Sequence, residues 1–254
     1  MRLLRRQKRQ ADHILRVADD TRIYAFGDIH GRLDLLSALL EKVQADVDTH
    51  DDDRSTQLVF LGDYVDRGDE SRGVLHRLSE LRASEPLAAV FLKGNHEDAM
   101  LRFIDDPQLQ ANWLNLGGEQ TLASFGIARR SAGLTTADIS SMHEEFCDAI
   151  RPYLSLLAGM VSQHASGDVF LSHAGANPER PLAEQSEGAL LWGHPGGLVD
   201  QPIKGKRIVH GHYDNPNVQD RPGRICIDTG AYYSGILTAL RLDHHEELVQ
   251  TNPG

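Results

Sequence analysis

The sequence predicts an α/β fold, on three observations. Apolar runs at 22–26 (Arg-Ile-Tyr-Ala-Phe), 57–61 (Gln-Leu-Val-Phe-Leu) and 87–92 (Leu-Ala-Ala-Val-Phe-Leu) read as short buried strands, and glycine closes each soon after. Between them the apolar residues change period: Leu33, Leu35, Leu36, Leu39, Leu40 and Val43, then Val74, Leu75, Leu78 and Leu81, recur at three-to-four spacing as on a helix face. Beyond a long helical stretch, a second series of β-like runs occupies the C-terminal part of the chain.

The first hundred residues thus read as βαβαβ. Right-handed crossovers make such strands parallel and gather their C-terminal ends along one sheet edge. Residues 97–158 form the helical stretch, with candidate helices at 97–105, 108–125, 136–150 and 152–158, and are expected to be a helical cap inserted in a single domain spanning 1–254. Runs at 160–164, 168–172, 206–210, 224–228, 236–242 and 247–250, joined by Gly, Asn or Pro turns, are expected to build another sheet packed on the first. Residues 1–20 are a basic N-terminal tail with Arg2, Arg5, Arg6, Lys8 and Arg9, read as a solvated end. Asp46–Asp53 lacks the central Gly and closing Glu of a calcium loop and reads as a solvated acidic loop.

Composition narrows the function classes. An apolar share of 40% and the absence of any run near the length of a membrane helix point to a soluble protein with no membrane partner. The formal charge of −11 works against sequence-independent binding to nucleic acid, which relies on Lys and Arg neutralising phosphates. Cys147 and Cys226 are the only cysteines, with no CxxC spacing, so a disulfide framework and a thiolate zinc site are both excluded and a reducing cytoplasm fits. No apolar segment of secretory type follows the basic start.

The chemistry lies in four segments: Gly27-Asp-Ile-His-Gly31, Gly62-Asp-Tyr-Val-Asp-Arg-Gly68, Gly94-Asn-His-Glu97 and Gly211-His212. Strand ends are where open α/β sheets hold ligands. Asp28 and His30 reach one point only if the backbone turns sharply, which Gly27 and Gly31 permit. Asp63, at the neighbouring strand end, is the candidate to bridge two cations. Asn95 offers an amide oxygen, and His173 and His212 offer imidazoles from the second set of strands. A donor set of oxygen and nitrogen without sulfur suits Mn²⁺, Fe or Zn²⁺ better than Ca²⁺ or Cu⁺.

These motifs, with Ser172-His-Ala-Gly175, resemble the binuclear metallophosphoesterases of the calcineurin-like phosphoesterase superfamily in order and spacing from about residue 22 to 242. Within them the chain resembles the phosphoprotein phosphatase branch, especially bacterial and phage serine/threonine phosphatases. The resemblance implies a four-layer αββα sandwich of two mixed sheets flanked by helices. It also implies two divalent metal ions, with manganese expected, one held by Asp28, His30 and Asp63 and the other by Asp63, Asn95, His173 and His212. A metal-bridging hydroxide would attack phosphorus in line, with His96 protonating the leaving oxygen, Asp66 orienting His96, and Arg67 gripping phosphate oxygens.

One departure stands out. Related phosphatases carry an arginine soon after a tryptophan where this chain has Leu190-Leu-Trp-Gly-His194. His194, Arg32 or an arginine of the cap are the candidates to replace that second phosphate contact. Tyr232 and Tyr233 stand where the family often sets an aromatic beside the metals, with core packing or loop cover as the equal alternative. His210 is expected to support its neighbours or pack in the core rather than ligate, and Asp214 to belong to loop structure.

The expected activity is dephosphorylation of phosphoserine or phosphothreonine in proteins, with small phosphoesters also cleaved. The alternatives are hydrolysis of dinucleoside polyphosphates, whose enzymes resembling this one usually have a small residue where Asp66 stands, and a protein-binding module on the same fold. Phosphodiester or nuclease chemistry fits less well, because it generally comes with a further histidine where this chain has Asp214.

Overall fold

The computed structural model describes residues 16–83, 88–128, 133–194 and 201–251. Most of the basic tail, residues 1–15, lies outside them. Two five-stranded sheets stack face to face. The first contains β1 (Thr21–Phe26), β2 (Ser55–Phe60), β3 (Ala88–Phe91), β9 (Thr238–Leu242) and β10 (Glu246–Gln250) in the order β10-β9-β1-β2-β3. The second contains β4 (Gln163–Ser166), β5 (Val169–Ser172), β6 (Arg207–His210), β7 (Gln219–Arg221) and β8 (Arg224–Cys226) in the order β4-β5-β6-β8-β7.

Both sheets are mixed. β1, β2 and β3 run parallel, joined through α1 (Leu33–Val47) and α2 (Ser71–Ala83), and β5, β6 and β8 run parallel in the other sheet. Six parallel strands therefore deliver their C-terminal ends to one edge of the sandwich, where every motif singled out from the sequence follows a strand.

Side-chain alternation explains the layering. Ile23, Ala25, Val59 and Leu61 face Val169, Leu171, Val209 and Ile225 in a core between the sheets. Tyr24, Phe26, Leu58 and Phe60 point the other way, into a larger core under the helices, where Phe26 stacks on Phe60 at 4.4 Å and Phe60 on Phe91 at 5.2 Å. Phe170 and Ile208 cover the outer face of the second sheet together with Leu190 of α7 (Glu187–Trp192). The layers run helix, sheet, sheet, helix.

Residues between β3 and β4 are helical: α3 (Asn95–Asp105), a 3₁₀ turn at Ala111–Leu116, α4 (Gly118–Ser124), α5 (Thr136–Ile150) and α6 (Leu154–Ala158). Their apolar faces, including Phe103, Trp113, Leu122, Phe146 and Leu157, join the same core as α1 and α2.

The structure corrects several expectations. The last two β runs do not enter the second sheet: β9 pairs antiparallel with β1, Ile23 opposite Leu242, and β10 extends that edge. Apolar alternation marks a strand but not its partner. The run at 160–164 starts as a strand only at Gln163, because Val161 instead bridges to Leu92. The helix expected over 108–125 breaks at Gly117, whose φ of 114° ends one helical piece and begins the next. Strand β7, α7 and the short α8 (Ala231–Ser234) carry too few residues for periodicity to show them.

Asp46 and Asp52 are not simply solvated. Asp46 accepts hydrogen bonds from Tyr24 Oη (2.6 Å) and Arg241 Nη1 (3.0 Å), and Asp52 accepts from Arg22 Nη2 (2.6 Å), tying the end of α1 to sheet 1. Partial burial opposes ionisation of Asp46, but the bonds from Tyr24 and Arg241 outweigh it and its acidity rises above that of an ordinary carboxyl. A folded-state pKa below the unfolded value gives stability that is present above about pH 4 and lost as pH falls through the folded value. Asp46→Asn should therefore lower the melting temperature at pH 7 by a few degrees, roughly the effect of 1 kcal/mol in a domain of this size. The gap to the parent protein should close as pH falls below about 4 and through the folded-state value, and melting curves taken from neutral into acid check it.

Candidate metal centre

Five non-glycine residues among those described have positive φ: His30 (45°), Asp63 (52°), Asp66 (71°), Arg67 (69°) and His212 (68°). All lie in the motifs. Left-handed backbone at such residues is held against a local cost of about 1–3 kcal/mol, and it clusters where geometry serves chemistry. The surroundings that hold these turns are glycine-dependent. A Cβ at Gly94 would run into the Asp63 carboxylate, and one at Gly211 into Asp28 Oδ1.

Asp63 sits at the middle of the cluster and its two oxygens face different ways. Oδ1 lies 3.4 Å from His173 Nε2, and Oδ2 lies 3.5 Å from His30 Nε2 and 3.9 Å from His96 Nε2. Two donor groups result, His30–Asp63–His96 and Asp63–His173–His212, each with its ligand atoms within 4.8 Å of one another. Asn95 Oδ1 joins the second group, 2.9 Å from His173 Nε2 and 2.8 Å from His212 Nδ1. Asp28 belongs to neither of these groups; its Oδ2 accepts from the backbone N–H of His212 at 3.1 Å.

The imidazoles are prepared for a cation. His30 Nδ1 is 2.9 Å from the Val65 carbonyl and His173 Nδ1 is 3.0 Å from the Leu61 carbonyl, so each donates its Nδ1 proton to the backbone and keeps the Nε2 lone pair. Burial pushes His30 down to about 3 and His212 down to about 4, so both are neutral near pH 7. Burial opposes ionisation of Asp63, but the neighbouring His96, whose imidazole is raised and whose backbone N–H donates to Oδ1, outweighs it and holds the carboxyl well below the usual range. Asp28 is pushed upward, by burial first and then by Asp228 and Asp63. Two of its neighbourhood's ligand atoms, Asp28 Oδ1 and His30 Nε2, are buried with no hydrogen-bond partner. Crowded carboxylates, neutral imidazoles and unpartnered buried donor atoms are what a divalent cation would satisfy, so the residues fit a metal pair.

His96 is held differently. Its Nδ1 is 2.7 Å from Asp66 Oδ2 and its backbone N–H donates to Asp63 Oδ1 at 3.0 Å. Burial works against its protonation, yet Asp63 and Asp66 prevail and raise it above an ordinary histidine. Arg67, next in sequence to Asp66, makes no ion pair among the described residues. Its guanidinium lies over the Tyr232 ring, 4.8 Å from the centroid, and that ring meets His30 edge-on at 5.5 Å.

Of the candidates for a second phosphate contact, Arg32 is engaged: Nε and Nη2 grip Asp34 at 2.9 and 2.7 Å while Nη1 donates to the Ala231 carbonyl. His210 is buried, with Nδ1 at 2.8 Å from the Gly211 carbonyl and Nε2 against Arg224, away from the ligand cluster. Asp214 is exposed and raises the Tyr233 hydroxyl, already shifted by desolvation, to about 12.

Four supporting residues carried no role in the sequence reading. Glu97, fully buried, accepts from the backbone N–H groups of Asp63, Tyr64 and Gly94 at 2.8–3.0 Å and so splices the second and third motifs together. Its place in the Gly94-Asn-His-Glu97 motif was the available signal. Asp228, raised to about 6 by burial and then by Asp63, flanks Asp28 just past β8, and an acid inside Ile-Cys-Ile-Asp-Thr was its signal. Trp113 Nε1 donates to Asp66 Oδ2 at 2.8 Å and Thr121 Oγ1 donates to Asp66 Oδ1 at 2.6 Å. Nothing in their periodicity distinguishes these two from ordinary core residues.

A profile described as "Calcineurin-like phosphoesterase" matches residues 21–244, and the chain belongs to that family of metal-dependent phosphoesterases. Curated relatives include the symmetrical bis(5'-nucleosyl)-tetraphosphatase of Xanthomonas euvesicatoria pv. vesicatoria, 27% identical over 284 residues that cover 91% of this chain and 84% of that one. Another is the asymmetrical bis(5'-nucleosyl)-tetraphosphatase PrpE of Oceanobacillus iheyensis, 27% identical over 245 residues, 89% of this chain and 90% of that one. The fold is similar to a crystal structure provisionally described as a diadenosine tetraphosphatase (TM-score 0.58, 20% identity, 94% and 98% of the two chains). It is also similar to a Saccharomyces cerevisiae protein serine/threonine phosphatase (TM-score 0.52, 14% identity, 93% and 81%).

The bonds to Asp66 are testable. Trp113→Phe and Thr121→Val each leave a buried carboxylate oxygen short of a donor, at a stability cost of about 1–3 kcal/mol. Each should also slow p-nitrophenyl phosphate hydrolysis by roughly 10- to 100-fold through misplacement of His96. Turnover equal to the parent in both variants would show that His96 does not depend on these contacts.

Proposed function

We propose that this phosphoesterase hydrolyses the phosphoanhydride bonds of dinucleoside polyphosphates. The observation that carries the proposal is the Asp63 carboxylate facing two donor groups with its two oxygens, beside the His96–Asp66 pair and the unpaired Arg67. The names carried by curated relatives that align over most of their length supply the substrate class.

On this reading Asp28, His30 and Asp63 hold one divalent cation, and Asp63, Asn95, His173 and His212 hold the other. Bound there, the cations supply Lewis-acid neutralisation of phosphate charge and a water acidic enough to act as nucleophile at neutral pH. Arg67 presents two parallel N–H donors to phosphate oxygens, with the Tyr232 ring fixing the plane of its guanidinium. His96, kept protonated by Asp63 and Asp66, gives its Nε2 proton to the oxygen that leaves phosphorus. Asp66, through Nδ1, sets the imidazole's orientation, and Trp113 and Thr121 hold Asp66 in turn.

Asp66 also supports a second reading, phosphomonoesterase action on phosphoserine or phosphothreonine. A serine alkoxide is a poor leaving group and needs a proton, whereas a leaving phosphate is stable as an anion. An oriented general acid is therefore of greatest use on alkyl esters, and the two readings separate on His96. His96→Asn should slow hydrolysis of a phosphoserine peptide by about 10²- to 10⁴-fold, as loss of a general acid does, and that of diadenosine tetraphosphate by less.

The deciding experiment is a panel in Mn²⁺ comparing catalytic efficiency on diadenosine tetraphosphate, a phosphoserine peptide, p-nitrophenyl phosphate and bis-p-nitrophenyl phosphate. The dinucleotide should lead by about tenfold or more, and the products, two ADP or ATP with AMP, identify the bond cut. A lead for the phosphopeptide would transfer the proposal to the second reading. Asp63→Asn should lose metal at both positions and abolish hydrolysis of every substrate, with metal content per chain read by elemental analysis.

A further inference from the structure

A cleft of about 490 Å³ opens beside Arg67 and Tyr232, walled on its far side by the 3₁₀ turn and the start of α4, with Asn115, Leu116 and Gln120 among its lining. We infer that this cleft is the subsite for one nucleoside of the substrate, an inference that rests on the function proposed above.

Position comes first. Arg67 belongs both to the loop that follows β2 and to the wall of the cleft, and Tyr232 reaches His30 on one side and the cleft on the other. A group attached to a phosphate held at Arg67 therefore enters this space directly. The size is that of a small-molecule pocket, within the roughly 300–1,000 Å³ such sites occupy.

The chemistry of the lining selects a flat, uncharged, hydrogen-bonding ring over more phosphate. The guanidinium of Arg67 and the ring of Tyr232 form a stacked pair, and planar cations and aromatics are platforms for nucleobases. Leu116, 38% exposed, offers an apolar surface that no neighbour covers fully. The amides of Asn115 and Gln120, both exposed, carry the paired donor and acceptor that match an adenine edge. Among the described residues that line the cleft Arg67 is the one cation and Glu119 adds a carboxylate, so a second phosphate finds no further cation among them.

The wall is anchored to the chemistry as well. Arg67 N–H points to the Gly117 carbonyl at 3.4 Å, and Trp113 and Thr121, on either side of the lining residues in sequence, hold Asp66. The segment that would recognise the nucleoside is thus the one that steadies the proton donor's partner.

The test uses the full-length protein with Mn²⁺ and measures competitive inhibition of p-nitrophenyl phosphate hydrolysis by ADP and by inorganic phosphate. Leu116 and Gln120 are surface residues, so the double variant Leu116→Ala/Gln120→Ala should fold, as a melting curve will verify. The inference expects ADP to inhibit the parent at least tenfold better than phosphate, and the double variant to lose roughly tenfold in ADP inhibition with less than about a twofold change for phosphate. The ratio of catalytic efficiency on diadenosine tetraphosphate to that on p-nitrophenyl phosphate should fall in parallel.

Equal inhibition by ADP and phosphate in the parent, or unchanged ADP inhibition in the variant, overturns the subsite. A selective loss of phosphopeptide hydrolysis in the variant, with ADP inhibition intact, overturns it in favour of a peptide groove. A parent protein that fails to cleave diadenosine tetraphosphate yet shows the cleft-dependent ADP preference removes the proposed function and leaves the nucleoside subsite standing.

Discussion

The structure depends on placing one buried carboxylate, that of Asp63, between two sets of imidazoles. Burying a charge is costly unless it is compensated, and the donor atoms that would share cations with it come from opposite directions: His30 from the first sheet and His173 from the second. This requires two sheets whose parallel strands end at the same edge, which a single doubly wound sheet does not provide. The sandwich core of Val59, Leu61, Leu171 and Val209 fixes the separation of the two sheets immediately beneath the centre. Close approach then demands glycine at positions 94 and 211, and left-handed backbone at His30, Asp63 and His212. The glycines that make the motifs visible in the sequence are consequences of that crowding.

The supporting contacts divide the work. Glu97 spends its carboxylate on backbone N–H groups of the neighbouring loop, so the position of Asp63 is set by α3 rather than by its own flexible turn. Asp66 receives Trp113 and Thr121, which arrive from the helical segment that links β3 to β4. Change in that segment is therefore felt at His96 through two hydrogen bonds, even though neither residue faces the donor groups. A helical insertion of this kind is a part of the site's support as well as a wall around it.

Much of this was legible from residues alone, for a physical reason. An apolar run followed by polar residues among glycines marks a strand end that can carry chemistry, so Asp28, His30, Asp63, Asn95, His173 and His212 stand out in order as candidates, and the family resemblance supplies their grouping. Periodicity also found α1, α2 and α5. What it could not show were relations. Thr238–Leu242 is buried along its whole length, and nothing in such a run tells whether it joins the first or the second sheet. Trp113 and Thr121 look like core residues because they are, and only their polar atoms are spoken for by Asp66. Asp46 and Asp52 sit in a run of acids that reads as solvated until Arg22 and Arg241 are brought across from strands far away in sequence.

The segment Leu190–His194 has no arginine, and its own contacts shape it. Gly193 has φ 79°, backbone that strains other residues, and a Cβ there would meet the Tyr213 hydroxyl. Trp192 turns the other way, its Nε1 donating to Asp98 of α3 at 3.1 Å. Nearby cations are already committed: Lys93 lies 2.6 Å from Glu187, and Arg102 bonds Asp98 at 2.9 Å. Among the described residues Arg67 has no carboxylate partner, and in the proposed function it meets phosphate together with the bound cations. One guanidinium in contact with solvent adds little of its own to recognition by charge once salt screens it. On the proposed function, binding would draw also on surface away from phosphorus, and the space beside Arg67, lined by Tyr232 and the amides of Asn115 and Gln120, is where it would be found.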